Sequence, residues 1–338
     1  MNKLIILQII ALSFFSCKKK DTALRILEPK ISINVDDTKY VINNVFSKGD
    51  VRRYGVLPNE DILEKRLKNI IDLASQGVVI NFPKGHYKAN LILKGKSNIH
   101  FIFNDAILNG YVNIIESNDI ESSRIKFEGT ITILDKLFIR KSNNIVFDNI
   151  IVKTDTINSL SKKKNRGVSI YAGSKKIEFN NLIIENTGGT SDNFYKYTAA
   201  ALQIHGWNNN PKKITINNLH ITNSDRTGLY ITGEGHKIEK ATITNFGLGS
   251  IKNMSGLSDT ALGEEKAFAG VWINKCNNCI IDSLIVSNIK NKGTYSLNLD
   301  AGKYYEPTFI NNISIKYRQS ALPIKDVKLT NILVKNEF

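Results

Sequence analysis

Three side chains near the middle of the 338-residue sequence are of types that together could remove a proton from carbon and stabilise the product. His205 and Tyr230 occupy similar places in two related segments, and Arg226 precedes Tyr230 closely. A histidine can take a proton α to a carboxylate, a cation can stabilise the enolate-like product, and a phenol can protonate the leaving oxygen. This set predicts β-elimination from a uronate. The structural alternative is that His205 bonds within the loop Trp207–Asn210.

Carboxylates in the same region leave glycoside hydrolysis open as an alternative. Hydrolysis of a glycosidic bond needs two carboxyl groups at a suitable separation. Asp225, which we count among the catalytic candidates, and Asp300 could supply one group, and Glu265 in a loop could supply the other. Binding of a glycan without catalysis is the third hypothesis, because it requires only side chains that contact the ligand.

The candidate substrate-binding residues combine aromatic, amide and charged side chains. Aromatic faces stack on sugar rings, although in a stacked sheet they can also stack on each other. The long segments 154–166, 187–198 and 247–268 come just before the strands that carry these residues, and we expect them to form one wall of a groove. The candidates are Arg140, Tyr171, Lys196, Gln203, Trp272, Asn274, Asn298, Asp300 and Glu265.

An internal repeat positions these residues. The phrase Ile145–Val152 returns at Ile177–Ile184 and Ile214–Ile221, with weaker copies at 236–243, 279–286 and 327–334. Each copy has two short alternating strands joined by a polar corner, so one face is buried. Parallel strands cannot be joined by tight hairpins, and no amphipathic helices separate the copies. The repeat therefore predicts an all-β fold, a right-handed parallel β-helix with three strands per coil.

Asparagine marks the polar corner of several copies. Asparagine tolerates a left-handed backbone and can bond within a turn, so stacked corners predict a ladder of hydrogen-bonded amides. A third strand precedes each phrase, with aliphatic residues inward and the candidate binding residues outward. The corner asparagines are Asn149, Asn181, Asn218 and Asn331, with Asn312 in a partial copy.

The segment before the repeats carries a family resemblance. Tyr54-Gly-Val-Leu-Pro is followed by helical periodicity over about 60–75 and then by Gly77-Val-Val-Ile-Asn-Phe-Pro-Lys-Gly-His-Tyr87. This order resembles the start of the pectate-lyase-like superfamily, which includes the polygalacturonases. The resemblance implies a helix that caps a β-helix domain over 39–338. It also implies degradation of an anionic polysaccharide, by a lyase or by a hydrolase of pectin or of a sulfated galactan such as carrageenan.

The amino terminus predicts export. Met1-Asn2-Lys3 is basic, Leu4–Phe15 is almost wholly apolar, and Ser16-Cys17 follows. A short apolar run behind a basic start is typical of a signal peptide. The sequence resembles a Bacteroidetes surface lipoprotein, which implies a signal over 1–17, acylation at Cys17 and a tether over 18–38. We therefore expect a lipid-anchored protein at the outer membrane or cell surface.

Composition limits the partners. The net charge of +15 favours an acidic partner, and for an exported protein an anionic polysaccharide is preferred to nucleic acid. We expect a monomer. Cys276 and Cys279 have the spacing of half a zinc site, but the sequence has no second pair. No cofactor is therefore predicted, and calcium is unsupported because no acidic cluster lies on one face.

Overall fold

The structure, a computed structural model, describes residues 26–117, 123–155, 164–188, 200–206, 208–248, 269–287, 295–300, 308–316, 322–327 and 332–334. Beyond Leu299 it describes only the backbone of the strands. Within these ranges the chain is predominantly β, with one α-helix and nineteen strands. The all-β prediction is confirmed at this level. No helix in the described ranges is long and apolar enough to span a membrane.

The chain alternates between two ladders of parallel strands, in which a strand typically pairs with the strand two places later. In the first, ladder A, consecutive parallel pairings connect β3 to β18. Its members are β3 (Leu91–Lys94), β5 (Val112–Ser117), the first part of β7 (Lys136–Lys153), β8 (Gly167–Tyr171), β10 (Ala200–His205), β12 (Thr227–Glu234), β14 (Ala269–Asn277), β16 (Tyr295–Asp300) and β18 (Leu322–Val327).

The second, ladder B, contains mostly longer strands whose alternation breaks at corners. In Lys175–Thr187, for example, Asn180 and Asn181 are both half-buried between two inward pairs, so the strand turns a corner there. The members are β1 (Ile80–Phe82), β2 (Gly85–Tyr87), β4 (Ile99–Leu108), β6 (Ile125–Ile133), the rest of β7, β9 (Lys175–Thr187), β11 (Lys212–Ser224), β13 (Lys237–Thr244), β15 (Ile280–Ser287), β17 (Thr308–Lys316) and β19 (Ile332–Val334).

The α-helix α1 (Glu64–Ser75) lies at the start of the ladders, as the periodicity predicts. Its residues Leu67, Ile70, Ile71, Leu73 and Ala74 recur at helical spacing and are buried. The helix contacts β1 and β4 and so covers the apolar end of the stack. Such an end would otherwise be an exposed apolar edge.

The segment before α1 is packed on the body of the protein and contains two short 3-10 helices, Thr38–Tyr40 and Val51–Tyr54. Asp37 is buried, accepts a hydrogen bond from Tyr54 Oη at 2.8 Å and pairs with Arg53 at 2.8 Å. Asn98 Nδ2 donates to the carbonyl of Lys30 at 3.0 Å. The last residues of the predicted tether, up to Asp37, therefore contact the folded domain.

Stacked phenylalanines run through the interior of ladder B. Ring centroids are 5.6 Å apart between Phe101 and Phe127, and 5.1 Å apart between Phe127 and Phe147. Phe147 and Phe179 are stacked at 4.6 Å. These rings are almost completely buried, so one inward position repeated in register builds the core.

The predicted ladder of corner amides is present, but its backbone differs from the prediction. Asn181 Nδ2 donates to Asn149 Oδ1 at 2.6 Å, and Asn218 Nδ2 donates to Asn181 Oδ1 at 3.0 Å. None of these three residues has a positive φ, so the expected left-handed corner is wrong here. The strand therefore turns this corner without a left-handed residue at the stacked asparagines.

Left-handed asparagines occur at a second corner, which the sequence reading missed. Asn186, Asn223 and Asn245 have φ of 53°, 57° and 55°. Their side chains form their own ladder, with Asn223 donating to Asn186 at 3.1 Å and Asn245 donating to Asn223 at 3.2 Å. Asparagine is favoured there because its short polar side chain tolerates αL geometry.

The carboxy-terminal copy of the repeat is not in the register that the sequence suggested. Val334 pairs with Ile310, which lies in the register of Phe147 rather than that of Val152. The alignment of 327–334 with the earlier phrases is therefore wrong. Asn312 does take the corner register, opposite Ser283, whereas Asn331 lies outside the described residues.

Candidate functional site

The outward residues of ladder A form a strip of two columns, which we call the outward strip. The first column runs in register through Asn113, Phe138, Ser169, Gln203, Tyr230, Trp272 and Asn298. The second runs through Ile115, Arg140, Tyr171 and His205, and continues past a shift in register near Thr232 to Asn274 and Asp300. The inward residues between them, such as Ile204 and Ile231, are buried, as predicted. For Asp300 only the backbone is described.

Five rings make consecutive contacts along this strip. The centroid distances are 6.3 Å from Phe138 to Tyr171, 5.9 Å from Tyr171 to His205, and 5.4 Å from His205 to Tyr230. Tyr230 and Trp272 follow at 4.7 Å. The contacts cross from one column to the other, since Tyr171 is in register with His205 and Tyr230 with Trp272. We call these rings the aromatic ladder.

His205 is the titratable ring at the centre of the aromatic ladder. It is half-buried, and burial lowers the pKa of its imidazole below the ordinary 6.5. A neutral imidazole at neutral pH can accept a proton, which is the state that a general base requires. The predicted proximity of His205 and Tyr230 is confirmed by their ring contact.

Tyr230 and Arg226 are more buried than the sequence suggested. Tyr230 is 7% exposed, and its hydroxyl accepts a hydrogen bond from Asn274 Nδ2 at 3.1 Å. Arg226 is also 7% exposed and lies in the turn directly before β12. The carbonyl of Arg226 accepts from the backbone N–H of Gly247 at 2.9 Å, so this turn is tied to the following segment.

Asp225 is engaged in an ion pair beside the strip. Its carboxylate is 2.7 Å from Lys164 Nζ, and its side chain is 6% exposed. An added Cβ at Gly188 would lie 2.3 Å from Asp225 Oδ2, so the carboxylate packs against a backbone that only glycine allows. In this arrangement Asp225 holds the turn that carries Arg226.

Two cations lie at the end of the strip that the first strands form. Lys136 Nζ lies 5.2 Å from the Tyr111 ring and 5.5 Å from the Phe138 ring, and burial together with Arg166 lowers its pKa. Arg140, at the same end, pairs with Glu116 at 3.4 Å. These groups suit an anion. The sequence reading missed Lys136, which precedes the strand's alternating pattern.

Toward the other end of the strip, three side chains have buried hydrogen-bonding atoms. Trp272 Nε1, Asn274 Oδ1 and Asn298 Oδ1 are buried and have no hydrogen-bond partner in the described part of the chain. Asn298 is 4% exposed. A buried donor or acceptor without a partner is costly, so these atoms are sites where water or a hydroxyl-bearing ligand would bond.

Comparison with known proteins identifies no relative. No family model, no curated protein and no solved structure matches this chain. The assignment of function therefore depends on the strip itself. Of the remaining predicted residues, Lys196, Glu265 and Cys17 lie outside the described residues, as does most of each predicted groove-wall segment. Gln203 is 8% exposed in the first column.

The cysteines are joined rather than free. Cys276 and Cys279 form a disulfide with Cα atoms 5.6 Å apart, and both are buried. The potential ligand atoms of these cysteines and of His236 lie within 4.8 Å of one another. Both ring nitrogens of His236 are, however, bonded to the backbone. The group therefore does not fit a metal ion while the disulfide is intact.

Proposed function

We propose that the outward strip binds an anionic polysaccharide and cleaves it by β-elimination, with His205 as the base. The observation that carries the proposal is the aromatic ladder with a half-buried, readily neutral imidazole at its centre. Rings at about the spacing of stacked strands offer successive faces to a linear chain of sugars. The cations at the Lys136 end favour carboxylate or sulfate groups.

The proposed reaction uses three side chains. His205 takes the proton α to the uronate carboxylate, and the electron pair forms a C=C bond as the β C–O bond to the leaving sugar breaks. Arg226 stabilises the negative charge that develops on the carboxylate, and Asp225 holds its turn through Lys164. Tyr230 gives its hydroxyl proton to the leaving oxygen and regains one from solvent or His205.

The experiment compares two histidine variants on a panel of uronate polysaccharides. New C=C bonds are followed by ultraviolet absorbance, and product ends are followed by a reducing-sugar assay. His205→Ala should lower the elimination rate by at least about a hundredfold, the usual contribution of a general base. The control His220→Ala changes an exposed histidine on ladder B and should leave the rate unchanged. Equal activity of the wild type and His205→Ala would contradict the site.

The pH profile gives an independent check of the base. Because burial lowers the pKa of His205 below 6.5, kcat/KM should stay high on the acid side of neutrality and fall only below the ordinary histidine range. A fall centred above pH 6.5 would exclude this imidazole as the base. Reducing ends that appear without C=C absorbance would instead indicate hydrolysis of pectin or of a sulfated galactan.

Binding without catalysis is the second candidate function. It is favoured by the burial of Tyr230 and by the use of its hydroxyl as an acceptor for Asn274. Retained affinity for an anionic glycan, with neither product from any substrate, would establish it. In that case Trp272→Ala should weaken binding while His205→Ala should not.

We further propose that the chain forms a right-handed parallel β-helix and acts outside the cytoplasm, anchored through Cys17. Two parallel ladders, one of them bent at the corner amides, support three strands per coil. A disulfide persists chiefly in oxidising compartments, and this supports export. Incorporation of a labelled fatty acid that is lost in Cys17→Ser would test the anchor.

A further inference from the structure

A groove lies where α1 meets β3, the first strand of ladder A. It has a volume of about 570 Å³ and is bounded by α1 on one side and by β3 with its flanking residues on the other. Tyr111, in the turn before β5, closes one part of it. We call this the cap groove. Its volume lies within the range of sites that hold a single small molecule.

The floor of the cap groove is apolar. Leu67 and Ile71 of α1 face it from the helix, and Ala89 lies on the opposite side. Ile92, on β3, is 41% exposed and belongs to the same lining. An apolar ligand that covers this exposed side chain removes apolar surface from water, which favours binding.

The rim of the cap groove is basic. Lys68, Lys88, Lys94 and Lys96 contribute to the lining, against one carboxylate, Glu64. Three of these lysines pair with carboxylates that do not line the groove: Lys88 with Asp61 at 3.0 Å, Lys94 with Glu116 at 3.8 Å and Lys96 with Asp72 at 2.7 Å.

These ion pairs leave the lysines able to bind a ligand. Lys88 and Lys94 are largely exposed, and exposed pairs add little stability because water screens them. Their flexible ammonium groups can therefore reorient toward an anion in the groove. Lys68 has no ion pair with a carboxylate in the described part of the chain, which makes it the first candidate to meet the anion.

We propose that the cap groove binds a small amphipathic anion, with an apolar body on the Leu67–Ile71–Ile92 floor and a carboxylate or sulfate head at Lys68. The cap groove adjoins the start of the outward strip, because Ile92 and Lys94 are in register with Asn113 and Ile115. The proposal does not rest on the polysaccharide-cleaving function. An amphipathic anion contacts the apolar floor and the basic rim together. A neutral apolar molecule would contact only the floor, and a small inorganic anion would contact only the rim.

The test measures binding of dodecanoate to the full folded protein by displacement of the fluorescent sulfonate 1-anilinonaphthalene-8-sulfonate. One saturable site per chain is expected, and dodecanoate should displace the dye. Lys68→Glu should weaken dodecanoate binding by at least about tenfold, the effect of losing a charge-assisted contact. Ile92→Gln should weaken it in the same direction by removing apolar contact.

Matched controls separate this site from general charge and from the outward strip. Lys65→Glu makes the same charge change at an exposed position of α1 outside the lining, and should leave affinity within about twofold. His205→Ala should have no effect. The proposal would be overturned if Lys65→Glu and Lys68→Glu weakened dodecanoate binding equally. It would also be overturned if acetate or neutral octyl glucoside displaced the dye as well as dodecanoate does, or if the dye showed no saturable site. Circular dichroism confirms that each variant is folded.

Discussion

Mild acid should destabilise this protein through one buried histidine. His236 is 1% exposed and lies inside ladder B in the inward column that also contains Ile214 and Cys279. Its Nδ1 accepts from the backbone N–H of Ile214 at 3.1 Å, and its Nε2 donates to the carbonyl of Thr232 at 3.0 Å. These partners hold a neutral ring with the proton on Nε2. Burial lowers its pKa from 6.5 to about 4.

The direction of this pH effect follows from the difference between the numbers of protons that the unfolded and folded chains bind. Between pH 6.5 and about 4 the unfolded chain protonates this imidazole while the folded chain does not, so stability is lost as pH falls. The total loss of unfolding free energy, once the pH is below both pKa values, is about 3 kcal/mol, because each pKa unit of difference corresponds to about 1.4 kcal/mol. About 2 kcal/mol of it should be lost between pH 7.5 and pH 5.

Urea unfolding at pH 7.5 and at pH 5 measures this loss in the wild type and in His236→Gln. The other histidines are shared by both proteins, so the difference between the two losses isolates His236. The wild type should lose about 2 kcal/mol more than the variant. Equal losses would refute the reasoning. Nitrogen NMR of the wild type gives a second check that does not depend on the variant, because a His236 ring protonated at pH 5 would also refute it.

Three further perturbations test the elements that hold the ladders together. Asn181→Ala removes the middle of the corner amide ladder and should lower the free energy of unfolding by about 1–3 kcal/mol, whereas Lys175→Ala at an exposed position should change it little. Phe147→Ala should cost about 3–5 kcal/mol, measured in urea, and a value below 1 would contradict the stacked core. Reduction of Cys276–Cys279 should lower unfolding stability by about 2 kcal/mol because the closed loop is short. A Cys276→Ser/Cys279→Ser double variant should not respond to dithiothreitol.

Periodicity was enough to predict most of the framework. The two-residue alternation of Val168 and Ile170 and of Leu229 and Ile231 identified the buried face, because each strand alternates strictly between faces. The repeated asparagine predicted which amides would stack. Helical spacing located α1 to within a few residues. In each case a local pattern is set by the geometry of one element, so it can be read without knowing the neighbours.

The candidate site was only partly predictable. The outward residues were placed on the right face, and the contact between His205 and Tyr230 was anticipated. The ion pair between Lys164 and Asp225 was not anticipated, because these residues are 61 positions apart and meet only when the strands stack. Lys136 was missed because it precedes the alternating pattern of its strand, and it meets Tyr111 only when the strands stack.

The sequence by itself determined that the chain is built of alternating strands, which side of each strand is buried, and where a helix precedes them. Only the tertiary structure decided the register of the carboxy-terminal strands and which outward side chains of different strands touch. The aromatic ladder, the bonded ring of His236 and the cap groove all depend on contacts between elements that are far apart in the sequence. The physical reason is that alternation is a property of one strand, whereas a contact between strands depends on the length and path of everything between them.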